Sequence, residues 1–222
     1  MSTPSAKQAI FEHISDVAKA LGHPIRLELL EYLGQREQSV DALATLCGQS
    51  IANTSHHLQL LRRAGLAVTR KEGVHVHYRL SGDDVTDLLG ALAKTSERHK
   101  AEVRDVLNGY FRERDGMEPI TREELLRRAK DGLVSVLDVR PANEFAAGHL
   151  PGAINIQLSD LGKHLKNLPK EQEVIAYCRG AYCVLSFEAV ADLRKRGFKA
   201  RRLEDGFPEW KAAGLPIEGV NA

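Results

Sequence analysis

The sequence predicts two domains of different class. The N-terminal half should be mainly α-helical with one β-hairpin, and the C-terminal half should be an α/β domain with a parallel sheet. Apolar residues recur at helical spacing through most of the first half, and a segment of alternating apolar and polar residues follows at 66–80. In the second half, strand-like and helix-like segments alternate, which is typical of a parallel sheet covered by helices.

A charged stretch interrupted by Gly116 and Pro119 separates the two halves. Glycine and proline after a run of charged residues are typical of a domain boundary. We therefore assign a mainly α-helical domain to 1–112, a linker to 113–119 and the α/β domain to 120–222.

Of the 222 residues, 43% are hydrophobic, which is typical of a globular protein. No apolar run is long enough to span a membrane, and the first residues lack an apolar signal segment. Three cysteines, an odd number, argue against a disulfide scaffold. We therefore expect a cytoplasmic protein with no membrane partner. Because the formal net charge is only +1, a DNA-binding prediction must rest on a local patch.

The first half should contain four helices, and the last two should form a helix-turn-helix. Pro24 is well placed to begin the second helix, and Ser39 and Ser50 are suitable N-caps for the third and fourth. The N-terminal polar residues of such a fourth helix face the major groove, whereas a solvated polar face is the alternative. The candidate DNA-contacting residues are Gln49, Ser50, Asn53, Thr54, Ser55, His56, Gln59 and Arg63, from a polar face that also includes His57.

The alternating segment at 66–80 predicts a β-hairpin with its turn at Glu72 and Gly73. From residue 62 to residue 79, five arginine or lysine residues accompany a single glutamate. A basic hairpin that follows a recognition helix can lie along the phosphate backbone of DNA. We assign Arg70 and Lys71 to these phosphate contacts.

Three segments of the first half, at 20–30, 55–66 and 78–80, resemble the ArsR family of bacterial winged-helix repressors. The resemblance spans about residues 7–112. It implies a homodimer on a palindromic operator of double-stranded DNA, released when an inducer binds. The apolar residues of 84–111 suit the long terminal helix through which such proteins dimerise. Metal-sensing members carry paired cysteines near the third helix, but this chain has only Cys47 there, so we predict no metal site.

In the second half, Cys178 follows an apolar strand-like run and precedes a Gly-containing turn and a helix. Backbone N–H groups and the helix N-terminus at such a position favour a thiolate, and Arg179 adds a positive charge. In a parallel α/β sheet, this position lies beyond the carboxyl ends of the strands, where ligands bind. The alternative is a buried, unreactive cysteine.

The second half resembles the rhodanese family over residues 119–219. Three motifs carry the resemblance, at 137–155, 177–180 and 203–216. The resemblance implies sulfane-sulfur transfer, in which Cys178 takes up sulfur as a persulfide and passes it to a thiol or cyanide. It needs no cofactor. We assign Cys178, Arg179 and Cys183 as the reactive residues and Gly180, Ala181, Tyr182, Asp138 and Arg140 as supporting residues, with Asp138, Arg140 and Glu144 favoured as an ion-paired network that braces the loop.

Many single-domain rhodaneses have an arginine five residues after the reactive cysteine, whereas this chain has Cys183. The change weakens the expectation of thiosulfate turnover. Cys183 is either a resolving thiol that attacks a Cys178 persulfide or a passive residue on the helix.

We predict a transcriptional regulator, which the resemblance to the ArsR family makes a repressor, whose second domain senses or transfers sulfane sulfur through a persulfide on Cys178. Its other partner would be a sulfane-sulfur donor or a low-molecular-weight thiol. Two alternatives remain open: a sulfurtransferase enzyme with an autoregulatory DNA-binding domain, and a repressor that responds to a thiophilic metalloid.

Overall fold

The computed structural model describes residues 5–112 and 119–219. The chain divides into two compact units, Met1–Thr86 and Asp87–Ala222, and each is described by itself. Apart from Pro119, the predicted linker at 113–119 lies outside the described residues, so a domain boundary there remains a prediction. Within the described residues, no helix combines the length and the apolarity needed to cross a membrane.

Residues 5–83 of the first unit contain four helices and a small antiparallel sheet with the strand order β1-β3-β2. Its elements are α1 (Ala6–Leu21), α2 (Pro24–Gln35), β1 (Gln38–Ser39), α3 (Val40–Leu46), α4 (Ile51–Arg63), β2 (Ala67–Glu72) and β3 (His75–Leu80).

The helix starts of this unit follow local sequence signals. Pro24 occupies the first position of α2, while the hydroxyls of Ser39 and Ser50 accept hydrogen bonds from backbone N–H groups at the starts of α3 and α4. The predicted hairpin is present, with Gly73 at a φ of 58° in its turn. The two-residue strand β1 was not predicted, because it forms only by pairing with β3.

Leucine side chains from three helices form the core of the first unit. All of them are at most 3% exposed, and they are Leu29, Leu30, Leu33, Leu43, Leu58 and Leu61. Burying these side chains supplies the hydrophobic free energy that holds α4 against α2 and α3. The opposite face of α4 therefore remains at the surface.

The prediction of one long helix over 84–111 is wrong in detail. The structure has α5 (Asp84–His99), α6 (Ala101–Val106) and a π-helical turn over Leu107–Arg112. Lys100 separates α5 from α6 because its backbone is extended, with φ −110° and ψ 116°. The guanidinium of Arg104 donates to the carbonyls of Glu97 and Arg98, which satisfies carbonyl groups at the end of α5.

Residues 119–219 contain a four-stranded parallel sheet with the strand order β5-β4-β6-β7, as the alternation of strands and helices predicts. The elements of this region are α7 (Arg122–Lys130), β4 (Val134–Asp138), α8 (Ala142–Ala147), β5 (Ile154–Asn155), α9 (Leu161–His164), β6 (Glu173–Tyr177), α10 (Val184–Lys195), β7 (Ala200–Arg202) and α11 (Phe207–Ala212). Short 3₁₀ turns at Leu158–Asp160 and Leu165–Asn167 flank α9.

Both faces of this sheet are buried. Side chains alternate along β6, so Val174 and Ala176 belong to one core cluster, while Ile175 and Tyr177 belong to another. Cys178 directly follows β6 and belongs to the first cluster, with residues of α10. The strand thus brings Cys178 to the carboxyl edge of the sheet, with its side chain in the core.

Candidate functional site

The loop after β6 is a tight turn that joins two cysteines. The N–H of Cys183 donates to the carbonyl of Gly180 over 3.1 Å, and Cys183 is the N-cap residue of α10. The sulfur atoms of Cys178 and Cys183 form a disulfide, with the two Cα atoms 6.1 Å apart. Only 1% of Cys178 and 9% of Cys183 are exposed. The fold therefore brings the two predicted sulfur residues together in a buried, oxidised pair.

The backbone of the loop between the two cysteines has N–H groups that the fold does not use. Within the described residues, the N–H groups of Gly180, Ala181 and Tyr182 make no hydrogen bond. Successive unpaired amides in a turn can stabilise an anion. Such donors suit a thiolate or persulfide anion on Cys178.

Arg179 is held by a carboxylate of α8. Its Nη2 lies 2.7 Å from Oε1 of Glu144, and its Nε lies 3.0 Å from both carboxylate oxygens. Both side chains are largely buried. The pair offsets the positive charge that the sequence places next to Cys178, and it ties the loop to α8. A role for Arg179 in stabilising an anion on the sulfur remains a prediction.

Asp138 and Arg140 form an ion pair inside the domain, and both side chains are fully buried. Nη2 of Arg140 lies 2.7 Å from Oδ2 of Asp138 and also donates to the carbonyl of Gly148 over 2.7 Å. The guanidinium lies 4.2 Å from the ring centroid of Phe207. Because the pair is enclosed, it can brace the loops at the carboxyl edge of the sheet and cannot contact a ligand in this conformation.

Tyr177 connects this ion pair to β6, one residue before Cys178. Its hydroxyl donates to Oδ2 of Asp138 over 2.5 Å and accepts a hydrogen bond from the N–H of Leu150. Burial, followed by the negative charge of Asp138, raises the pKa of Tyr177, so the phenol stays protonated and acts as a donor.

Gly206 and Phe207 pack against the backbone of the loop, although neither was predicted as a site residue. A Cβ atom at Gly206 would collide with the backbone of Arg179 and Gly180. The N–H of Phe207 donates to the carbonyl of Cys178 over 3.0 Å. The signal was present as a glycine directly before the Phe-Pro-Glu-Trp run of the third rhodanese motif, but the close approach of two backbones is visible only in the fold.

The surface of α4 carries most of the predicted DNA-contacting residues. Asn53, His56, Gln59 and Arg63 are exposed, as is the capping residue Ser50, while Gln49 and Ser55 are partly buried. Two side-chain hydrogen bonds order this surface: Nδ2 of Asn53 donates to Gln49, and Nε2 of Gln59 donates to Ser55.

The prediction that Thr54 contacts DNA is wrong, because its side chain is fully buried on the inner face of α4. One turn later, His57 is only 7% exposed, and its ring centroid lies 4.5 Å from that of His23. Burial, followed by the charges of His23, Arg26 and His56, lowers the pKa of His57. His57 is therefore a neutral core residue of α4.

The two basic residues of the hairpin differ in their surroundings. Arg70 lies 2.6 Å from a carboxylate oxygen of Glu37 and 3.0 Å from one of Glu72. Lys71 is exposed, and within the described part of the chain it makes no ion pair. Much of the charge of Arg70 is thus offset, which leaves Lys71 as the better candidate for a phosphate contact.

Cys47 is half-buried at the end of α3. Burial, together with the nearby carboxylates of Glu28 and Glu31, raises its pKa to about 12. A thiol with this pKa stays protonated and reacts slowly. Among the described residues, no group of three or more histidine, cysteine, aspartate or glutamate side chains is arranged to hold a metal ion.

Comparison with known proteins identifies both halves. The Rhodanese-like domain family matches residues 121–213, and the Helix-turn-helix domain family matches residues 21–70. The chain is 41% identical over 216 residues to the HTH-type transcriptional regulator Rv0324 of Mycobacterium tuberculosis (strain ATCC 25618 / H37Rv), which covers 96% of this chain and 93% of that protein.

Two further proteins resemble one half each. A Sulfurtransferase of Allochromatium vinosum is 31% identical over 100 residues, which covers 44% of this chain and 92% of that protein. The solution structure of the homodimeric winged helix-turn-helix DNA-binding domain of Mb0332 from Mycobacterium bovis is 34% identical and covers 46% of this chain and 95% of that chain, with a TM-score of 0.41. Since the similarity to Rv0324 runs through both halves, the chain belongs to the family of ArsR-type helix-turn-helix transcriptional regulators that carry a C-terminal rhodanese domain.

Proposed function

We propose that the protein is a cytoplasmic, homodimeric repressor whose rhodanese domain accepts sulfane sulfur as a persulfide on Cys178, and that this modification changes its affinity for operator DNA. The observation that carries the proposal is the position of Cys178. It follows β6 at the carboxyl edge of a parallel sheet, in a turn whose amide groups are available to an anion. Ligands of parallel α/β sheets bind at this edge.

The charges around the loop favour a particular class of sulfur donor. Arg179 is ion-paired with Glu144, and residue 183, where many rhodaneses have an arginine, is a cysteine. The loop therefore lacks the positive charge that a dianion such as thiosulfate requires. In a hydropersulfide of a low-molecular-weight thiol, or in a protonated polysulfide, the sulfur chain that enters the loop carries at most one negative charge. The Cys178 thiolate would attack its outer sulfur, and the donor would leave as a thiolate.

Exposed apolar side chains support the homodimer. On α1, the side chains of Ile10, Phe11 and Ile14 are 57%, 57% and 56% exposed, and on α5 Leu88 and Leu92 are each 39% exposed. Apolar surfaces of this kind on helices commonly mark an interface. A second copy of the chain, in a symmetric dimer, would bury them on both subunits and would match the two halves of a palindromic operator.

A sulfurtransferase with an autoregulatory DNA-binding domain is the second candidate, and the similarity to a Sulfurtransferase favours it. The enzyme would use the same loop as the proposed repressor. The two candidates differ only in that the DNA binding of the enzyme would not respond to sulfur. A metalloid-responsive repressor is less well supported, because thiophilic metalloids need a third soft ligand. The described residues bring no such cluster together.

A DNA titration tests the proposal. Reduced wild-type protein, Cys178→Ser and the control Cys47→Ser would be titrated with the upstream region of the protein's own gene, with and without a polysulfide donor. We expect the donor to change the DNA affinity of the wild type and of Cys47→Ser but not of Cys178→Ser. Equal affinity of the wild type under both conditions would contradict the coupling and favour the enzyme.

Lys71→Ala should weaken binding to all DNA sequences and reduce the slope of log K against log salt by about one, since one phosphate contact is lost. Arg70→Ala should change the slope less, because Glu37 and Glu72 already offset its charge. Fluorescence anisotropy at several salt concentrations measures both slopes. If neither variant changes the slope, the hairpin does not contact the phosphate backbone.

A further inference from the structure

We infer that Cys183 is a resolving thiol, which converts a persulfide on Cys178 into the Cys178–Cys183 disulfide and releases the transferred sulfur as hydrosulfide. This inference rests on the proposed persulfide at Cys178 and extends it. The loop would then pass through three chemical states: dithiol, persulfide and disulfide. No external sulfur acceptor is needed to leave the persulfide state.

The structure supports this role through the position of the two sulfurs. They are bonded to each other, and the Cα separation of 6.1 Å is within the ordinary range for a disulfide. A passive residue on α10 would have its thiol away from Cys178. Instead, both cysteines belong to the same core cluster.

Other contacts hold the loop in this shape. The N–H of Cys183 donates to the carbonyl of Gly180, and the carbonyl of Cys178 accepts from the N–H of Phe207. Arg179, between them in sequence, is tied to Glu144. None of these three interactions involves a sulfur atom, so they can persist in the dithiol state and keep the two thiols close. Proximity of this kind strongly accelerates an intramolecular attack.

The chemical step is balanced without an oxidant. The thiolate of Cys183 attacks Sγ of the Cys178 persulfide, and a bond between the two Sγ atoms forms. The bond from Sγ of Cys178 to the outer sulfur breaks, and its electron pair leaves with that sulfur, which takes up a proton to give hydrosulfide. The outer sulfur is thereby reduced while Cys183 is oxidised. Hydrosulfide is a good leaving group compared with a protein thiolate.

Return to the dithiol requires a reductant that supplies two electrons, either a dithiol or two molecules of a low-molecular-weight thiol. Attack by the reductant must reach a disulfide whose cysteines are 1% and 9% exposed. We therefore expect the disulfide to outlast the persulfide after a pulse of sulfur donor.

The test follows the fate of one added sulfur in the full-length chain. Wild type, Cys183→Ser and Cys178→Ser would be reduced, freed of reductant under anaerobic conditions and mixed with one equivalent of glutathione hydropersulfide. Intact mass distinguishes a gain of one sulfur from a loss of two hydrogens, and monobromobimane traps the hydrosulfide. Wild type should lose two hydrogens and release hydrosulfide. In Cys183→Ser, the release should be lost and the added sulfur should remain on Cys178.

Peptide mapping of Cys183→Ser separates failure of this inference from failure of the proposed function. If the added sulfur is on Cys178 but disappears as fast as it does from wild type, or if wild type keeps the sulfur on Cys178 without forming a disulfide, Cys183 is not a resolving thiol and the proposed function stands. If no sulfur is found on Cys178 in either protein, both proposals fail. Because serine retains a side chain that can cap α10, Cys183→Ser should fold, and its urea unfolding curve provides the check.

Discussion

Arg140→Met should destabilise the rhodanese half by about 3–5 kcal/mol, because it leaves the carboxylate of Asp138 buried without its partner. Both side chains of the pair are fully buried, and Arg140 also supplies a hydrogen bond to the carbonyl of Gly148. The protein has a single tryptophan, Trp210, which is 2% exposed in this half. Its fluorescence during urea unfolding therefore reports on the domain that the substitution affects.

Two further variants test whether the loss of stability in Arg140→Met comes from the broken ion pair. Arg127→Met, on the exposed surface of α7, should change the unfolding free energy by no more than about 0.5 kcal/mol. The double variant Asp138→Leu with Arg140→Met should recover part of the loss, since both charges of the pair are removed together. An Arg140→Met protein as stable as Arg127→Met would mean that the ion pair does not brace the domain.

Gly206→Ala should abolish sulfur uptake by Cys178, although the nearest neighbours of a Cβ atom at residue 206 are backbone atoms of the loop and not the sulfurs. Its φ of −106° is accessible to alanine, so the effect does not come from backbone strain at residue 206 itself. The added methyl group would collide with the backbone of Arg179 and Gly180, which has no flexible side-chain end to move aside. The loop must shift, at a cost of about 1–3 kcal/mol, and its amide groups move with it.

Mass spectrometry of the reduced protein after treatment with the hydropersulfide measures this effect. Gly162→Ala is the matched control, because there the new methyl group would meet the guanidinium end of Arg196 at 3.3 Å, and that side chain can move. We expect Cys178 to take up sulfur in Gly162→Ala but not in Gly206→Ala. Uptake at the wild-type level in Gly206→Ala would show that the loop geometry is not needed for the chemistry.

The sequence by itself determined the elements whose signals are local. Pro24, Ser39 and Ser50 begin the helices they were expected to begin, because a cap acts on N–H groups within three residues of it. The position of Cys178 beyond a parallel strand also followed from the order of strand, turn and helix. Sulfur transfer, by contrast, was indicated by the resemblance to rhodaneses and not by spacing alone.

The tertiary structure determined which side chains of those elements are buried in the core and which are exposed. Thr54 and Asn53 are adjacent polar residues of α4, and only the packing of α4 on the core determines that the first is buried and the second exposed. The break at Lys100 lies at the end of the polar run 94–100, and the prediction of one helix did not take that run as an interruption.

The same holds for the sulfur loop. Glu144 is 35 residues from Arg179 in sequence, and Gly206 is far beyond both, yet together they set the charge and the shape of the turn at Cys178. Contacts between residues this distant depend on how the sheet brings its strand ends together. A local sequence pattern carries no information about such long-range contacts. The reactive residue could therefore be predicted from its own strand and turn, but the residues around it could not.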